Sequence, residues 1–187
     1  MPDLLQIGGI TDAMRDRLEA AFTIHQLDNF DPDKITHVVT NGHDGVNPDL
    51  MASLSNLKVI SGYGVGYDAV DANEAARRGI IVTHTPDVLN EEVATTALLL
   101  MLSCYREVLR DDAYLRSGDW QAKGNAPLTR SADNQTVGIL GLGRIGQAIA
   151  DKLAPWKSKI VYHSRNRKDV AYTYYDNLTT MAKDCDV

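Results

Sequence analysis

The chain has 187 residues, 44% of them hydrophobic and 24% charged, which is the make-up of an ordinary folded protein with room for one large or two small domains and excludes a disordered or fibrous class. A formal charge of -6 argues against a surface built as a whole for nucleic acid or anionic lipid, although a local basic cluster can still hold a phosphate. Cys104 and Cys185 stand far apart with no CxxC and no Cys/His ligand spacing, so both are expected in the core, with no metal or redox role.

The first six residues carry no basic flank and no long apolar run, so no secretory leader is read and a cytoplasmic location is expected. Residues 4–7 form a short apolar strand, and Thr11-Asp12 can cap a helix whose apolar face runs through Met14, Leu18 and Phe22. Further strands are expected at 23–27, 36–40, 58–61 and 80–83, with helices at 48–54 and 71–78 among them. Strands alternating with helices imply a parallel sheet covered on both faces.

From 90 to about 115 the apolar positions Val93, Ala97, Met101, Cys104 and Val108 keep helical spacing, and Gly118 stands ready to stop the helix. This predicts one long helix linking two domains. Its most apolar stretch, 93–104, spans 12 residues, short of the roughly 20 needed to cross a bilayer, and reads as a buried helix. A polar connection over 117–134 leads to a strand at 136–140, a helix over 147–153 and another strand at 159–163.

Between the strand at 136–140 and its helix lies Gly141-Leu142-Gly143-Arg144-Ile145-Gly146, a GxGxxG in the strand-turn-helix setting of a dinucleotide site. The first glycine permits the tight turn, the second lets a pyrophosphate approach the backbone, and the third lets helix and strand pack closely. The free N–H groups at the helix start then face the phosphates. If the glycines served only helix-sheet packing, Gly146 would be explained well and Gly143 poorly.

An NAD site usually offers Asp or Glu to the ribose about 20 residues further on. Here that neighbourhood reads Tyr162-His163-Ser164-Arg165-Asn166-Arg167-Lys168, with no acid before Asp169. Ser164 can donate to a 2′-phosphate and Arg165 can form a planar charged pair with it, so NADP(H) is favoured over NAD(H). Arg167 and Lys168 are expected on a solvated loop.

A second glycine-rich loop, Gly62-Tyr63-Gly64-Val65-Gly66, follows the strand at 58–61. Its backbone N–H groups around Gly64, Val65 and Gly66 can cradle an anion such as a carboxylate, or its glycines can serve only a tight turn; the spacing leaves both readings open.

The runs Gly62 to Asp71, Thr85-Pro86-Asp87-Val88-Leu89-Asn90-Glu91-Glu92-Val93-Ala94, Gly118-Asp119-Trp120 and Val137 to Gly146, in that order and spacing, resemble the D-isomer-specific 2-hydroxyacid dehydrogenases over essentially the whole chain. The basic Tyr162-His163-Ser164-Arg165 segment is most similar to their NADPH-using glyoxylate/hydroxypyruvate reductase branch. The resemblance implies a flavodoxin-like substrate domain over 1–98 and the N-terminal part of a Rossmann doubly wound parallel-sheet domain over 99–187. It further implies a homodimer joined largely through the cofactor domains, with the active site in an interdomain cleft. The implied reaction is reduction of a small 2-oxo acid, such as glyoxylate or hydroxypyruvate, by hydride transfer from NADPH.

By position, Gly64, Val65 and Gly66 would hold the substrate carboxylate, with Val65 also near the cofactor and Thr96 close to the nicotinamide. Gly141, Leu142, Gly143, Arg144, Ile145 and Gly146 would surround the pyrophosphate, His163 would neighbour the adenosine ribose, and Ser164 and Arg165 would meet the 2′-phosphate. The family's catalytic arginine, glutamate and histidine have no counterpart here, and none of His25, His37, His43, His84 or His163 matches the catalytic position. The chain thus reads as the first part of such an enzyme, and turnover by these 187 residues alone is not expected. From 136 onward two strands are legible and a third begins at Asp186-Val187, against about six in a complete fold of this type. Competing readings are a dinucleotide-sensing or regulatory module that keeps the fold without turnover and, more weakly, oxidation of formate or phosphite on the same scaffold.

Overall fold

Two units make up the chain in the computed structural model, which describes residues 1–187: Met1–Val88 and Leu89–Val187. The sequence reading draws its line between 98 and 99. The units divide earlier because the helix beginning at Asn90 packs along the helix that follows the GxGxxG turn, and so groups with the second unit.

In the first unit, β1 (Asp3–Gln6), α1 (Asp12–Glu19), β2 (Thr23–Gln26), β3 (Ile35–Asn41), α2 (Pro48–Ser53), β4 (Val59–Tyr63), α3 (Ala72–Arg77) and β5 (Ile81–Thr83) follow one another. The strands pair in the order β2-β1-β3-β4-β5, all parallel, which is the flavodoxin-like order the resemblance implies. The helices start where short polar side chains can accept an orphan backbone N–H: Thr11 from Met14, Asn47 from Leu50 and Asp71 from Glu74. Leu5, Ile35, Val38, Met51, Leu54 and Ile60 are buried together in the core, each such side chain contributing about 1.5–3 kcal/mol on transfer from water. Because every strand runs the same way, the loops after β1, β3, β4 and β5 gather on one rim, and Gly8, Gly42, Gly64 and His84 all lie there.

The second unit contains α4 (Asn90–Tyr105), α5 (Val108–Arg116), α6 (Asp119–Lys123), β6 (Thr136–Leu140), α7 (Arg144–Leu153), a single 3-10 turn, β7 (Lys159–His163), β8 (Thr173–Tyr174) and α8 (Leu178–Lys183). Its sheet is parallel, in the order β6-β7-β8. Two residues are too few to carry a periodic signal, and β8 is invisible in the sequence for that reason. On the opposite edge of β6, the Asp186 N–H donates to the Thr136 carbonyl at 2.9 Å and the Gly138 N–H to the Val187 carbonyl at 2.8 Å. Asp186-Val187 therefore lies beside β6 as the fourth extended segment rather than the third. That makes β6 the strand where the order turns back, the place where open α/β sheets bind their ligands.

Three expectations are corrected. The long helix over 90–115 is two helices, broken where Glu107 takes a left-handed φ of 47°. The break lies where the 127–130 segment engages the chain: Arg106 Nε donates to Thr129 at 2.9 Å, Arg110 reaches the Pro127 carbonyl at 3.1 Å, and Arg130 lies over the Tyr105 ring. Such tertiary contacts leave no trace in helical periodicity. The apolar stretch of α4 is only partly covered: Leu98 and Met101 pack on the core of this unit, while Leu99 and Leu100 are exposed. Cys104 is exposed rather than in the core, and Cys185 is half-buried with its Sγ against Gly138. No helix is long and apolar enough to cross a membrane.

Candidate functional site

β6 carries the chain to Gly141, whose φ of 93° is open to glycine and strained for other residues. The Gly141 N–H donates to the His163 carbonyl at 2.8 Å, tying the turn to the end of β7. Gly143 then caps α7 with no side-chain hydrogen bond, and the first turn carries no acid. This contrasts with α1, α2, α3 and α8, each capped by a side chain. The positive end of the ten-residue α7 is thus left to be satisfied from outside, which suits an anion.

The two inner glycines have different reasons to be there. A Cβ at Gly146 would stand 2.3 Å from the Gly141 carbonyl oxygen and 3.1 Å from Ile139 Cγ2, whereas a Cβ at Gly143 would meet nothing within 4 Å. Packing alone accounts for Gly146. It leaves Gly143 unexplained, and the open space beside that residue fits the close approach of a pyrophosphate.

That space belongs to a cavity of about 460 Å3. One wall is Leu140, Gly141, Leu142 and Gly143; the other is His163, Ser164 and Arg165, joined by Asn166 and Lys168. Leu142 is buried in the core and offers the cavity its backbone. The His163 ring is fixed by its Nδ1 at 2.9 Å from the Tyr175 carbonyl and by stacking on Tyr174. Ser164 Oγ donates to the Asn166 carbonyl at 2.7 Å. Arg165 is exposed and makes no bond within the chain.

Lys168, assigned to a solvated loop by sequence reading, lines this cavity because the turn after β7 folds back on itself. Asn166 was missed for the same reason, and a chain reversal closed by a tertiary contact has no sequence signature. Arg144, Ile145 and Gly146 occupy the first turn of α7 and do not line the cavity. Nor does Thr96, which is exposed on α4 with its hydroxyl donating to the Glu92 carbonyl at 3.0 Å.

In the first unit the glycine loop after β4 divides between the two readings left open. A Cβ at Gly62 would stand 3.0 Å from the Thr83 carbonyl oxygen and one at Gly64 3.3 Å from the Gly42 nitrogen, so these two serve close backbone approach. A Cβ at Gly66 would meet only Asp68 Oδ2, at 3.7 Å. The Gly64 carbonyl accepts from the Thr85 N–H at 2.8 Å and the Val65 carbonyl from His84 Nδ1 at 2.9 Å. In a trans peptide the C=O and the next N–H point in opposite directions. The N–H groups of Val65 and Gly66 are therefore turned away from Thr85 and His84.

Of the other histidines, His25 pairs with Asp3 at 2.8 Å, but Asp3 opens β1, on the rim opposite the glycine loops. Burial, and then nearby Lys58, hold His37 below its usual value. His43 lies in the loop after β3.

Residues 98–187 match the family model described as the D-isomer specific 2-hydroxyacid dehydrogenase NAD binding domain. A 2-ketogluconate reductase of Gluconobacter oxydans is 37% identical over all of this chain and 62% of its own length. The solved 2-hydroxyacid dehydrogenase of Ketogulonicigenium vulgare is 38% identical with a TM-score of 0.90, over 99% of this chain and 62% of that one. An NADPH-dependent glyoxylate/hydroxypyruvate reductase of Sinorhizobium meliloti, solved with NADP and malonate, is 37% identical with a TM-score of 0.85, over 99% of this chain and 60% of that one. The chain thus spans about three fifths of the length of these proteins. Its two parallel sheets, the glycine turn at the switch strand and these likenesses have one reading in common: the chain belongs to the D-isomer-specific 2-hydroxyacid dehydrogenases.

Proposed function

We propose that this chain supplies the carboxylate cradle and the dinucleotide site of an oxidoreductase that reduces a small 2-oxo acid of the glyoxylate or hydroxypyruvate kind with NADPH. The observation that carries the cofactor choice is the cavity joining the uncapped turn Gly141–Gly143 to Ser164 and Arg165. No carboxylate is present there to repel a 2′-phosphate; the first acid beyond β7, Asp169, does not line it. The pyrophosphate would be held by the backbone N–H groups at the start of α7, and the 2′-phosphate by Arg165 with Lys168. The bound dinucleotide supplies a hydride to the carbonyl carbon.

The Val65 and Gly66 N–H groups would hold the substrate carboxylate. The Sinorhizobium reductase with its NADP and malonate pairs the same two ligand types, a phosphorylated dinucleotide and a carboxylate. 2-Ketogluconate, on which the Gluconobacter relative acts, is likewise a 2-oxo acid. Proton transfer is not assigned to the histidines of this chain, since none of His25, His37, His43, His84 or His163 matches the position of the family's catalytic histidine.

In the full-length protein, Arg165→Ala is expected to weaken NADPH by about 10- to 100-fold, the equivalent of one charge-assisted pair, and to leave NADH unchanged. Equal affinity of the wild type for both cofactors, or a silent Arg165→Ala, would sink the NADPH assignment. Failure of the wild type to reduce glyoxylate or hydroxypyruvate would sink the substrate assignment.

The protein is also proposed to be a homodimer through its second unit. Leu109 is 85% exposed, Trp120 56% and Leu128 99%, an apolar set around α5 and α6 that water disfavours and a second copy can cover. Sedimentation of the full-length protein is expected at twice the protomer mass, with Leu109→Asp shifting it toward one protomer. A wild type that sediments as a single protomer would refute this.

A further inference from the structure

Tyr162 is the largest side chain of the chain that is fully shut off from solvent. Its ring packs in the core of the second unit and lies 5.3 Å from that of Tyr174. Phenylalanine would meet that packing need, and a buried hydroxyl is costly unless it is bonded. Here both of its hydrogen-bonding capacities go to a single residue. The Lys168 N–H donates to the Tyr162 oxygen at 2.8 Å, and the Tyr162 O–H donates to the Lys168 carbonyl at 3.2 Å.

These two bonds close the turn after β7 onto the end of the strand. Within the turn, the Tyr174 hydroxyl donates to the Ser164 carbonyl at 3.3 Å and Ser164 Oγ to the Asn166 carbonyl at 2.7 Å. The backbone is thus held on both sides of Arg165, whose side chain has no partner in the chain.

We infer that Tyr162 is a positioning residue for cofactor choice: its hydroxyl clamps the turn 164–168 so that Arg165 and Lys168 face the 2′-phosphate of NADP(H) from a backbone fixed before binding. Tyr162 does not touch the ligand. A turn ordered in advance loses little freedom when the phosphate arrives, and the gain is felt only by a ligand that has that phosphate. NAD(H) draws nothing from it. The inference rests on the NADPH reading above.

Tyr162→Phe in the full-length protein keeps the ring and removes both bonds. The expected result is an NADPH Kd raised about five- to tenfold, the equivalent of one to two net hydrogen bonds, with the NADH Kd changed by less than about twofold. In an Arg165→Ala/Lys168→Ala background the same substitution is expected to have almost no effect on NADPH, because the groups it positions are gone. An unchanged NADPH Kd, or equal weakening of both cofactors, overturns the inference; the second result marks a general structural role.

Should Tyr162→Phe fail to fold, amide hydrogen exchange of the wild type reads the same clamp. The Lys168 amide is expected to be protected without cofactor, and exchange as fast as that of Arg167 overturns the proposal. The two failures are told apart by Arg165→Ala: a wild type that prefers NADPH and loses the preference in Arg165→Ala, with Tyr162→Phe silent, removes only the clamp. Equal cofactor affinities with Arg165→Ala silent remove the NADPH reading and the clamp with it.

Discussion

Gly143→Val is expected to abolish NADPH binding by the full-length protein while leaving its melting temperature close to that of the wild type. The reason lies in the contrast between what the chain needs at this position and what a ligand needs. Gly143 has a φ of -90°, a conformation open to any residue, and a Cβ there would meet nothing within 4 Å, so the folded chain tolerates the side chain. A pyrophosphate approaching the start of α7 does not, because the added branched carbon fills the space meant for a phosphate oxygen. Losing two charge-assisted backbone contacts at about 1.5–3 kcal/mol each corresponds to an affinity loss of more than about 100-fold. Cofactor titration and thermal unfolding of the same variant are the paired measurement. Unchanged NADPH affinity would defeat the assignment of the site.

Gly146→Val should do the reverse, lowering stability first. Its Cβ would stand 2.3 Å from the Gly141 carbonyl oxygen, a backbone atom at the end of β6 that is tied to β7 through the Gly141–His163 bond. Something in the α7–β6 contact must move apart, and overpacking of this kind costs about 3 kcal/mol or more for a branched residue, a fall in melting temperature of roughly 10 °C. Calorimetry of the full-length variant measures this directly. A Gly146→Val protein that melts with the wild type would mean that α7 does not pack against β6 through this residue.

How far the sequence could be read depended on whether the signal was local. The GxGxxG turn, the strands on either side of α7 and the cap at Thr11 are set by neighbouring residues, and each is legible in the sequence. The flavodoxin-like order followed from the resemblance and not from periodicity, which cannot say which strand lies beside which. What escaped was tertiary. The break at Glu107 coincides with Arg106 and Arg110 reaching the 127–130 segment, β8 is too short to show a period, and Lys168 lines the cavity in a turn whose backbone bonds the Tyr162 hydroxyl. Ser164, singled out by residue type, does line the cavity, with its Oγ bonded to the Asn166 carbonyl.

Both walls of the proposed dinucleotide cavity come from one strand-helix-strand crossing, Leu140–Gly143 before α7 and residues 163–168 at and after the end of β7, while the proposed carboxylate cradle at Val65 and Gly66 lies in the other unit. The two recognition problems are therefore written in separate stretches of the gene. On the proposed reading, a short exchange confined to codons 163–168 is expected to alter cofactor affinity without altering the loop at 62–66, and the converse for changes around codons 62–66. Under that reading, cofactor choice and substrate choice can change independently of each other in this chain.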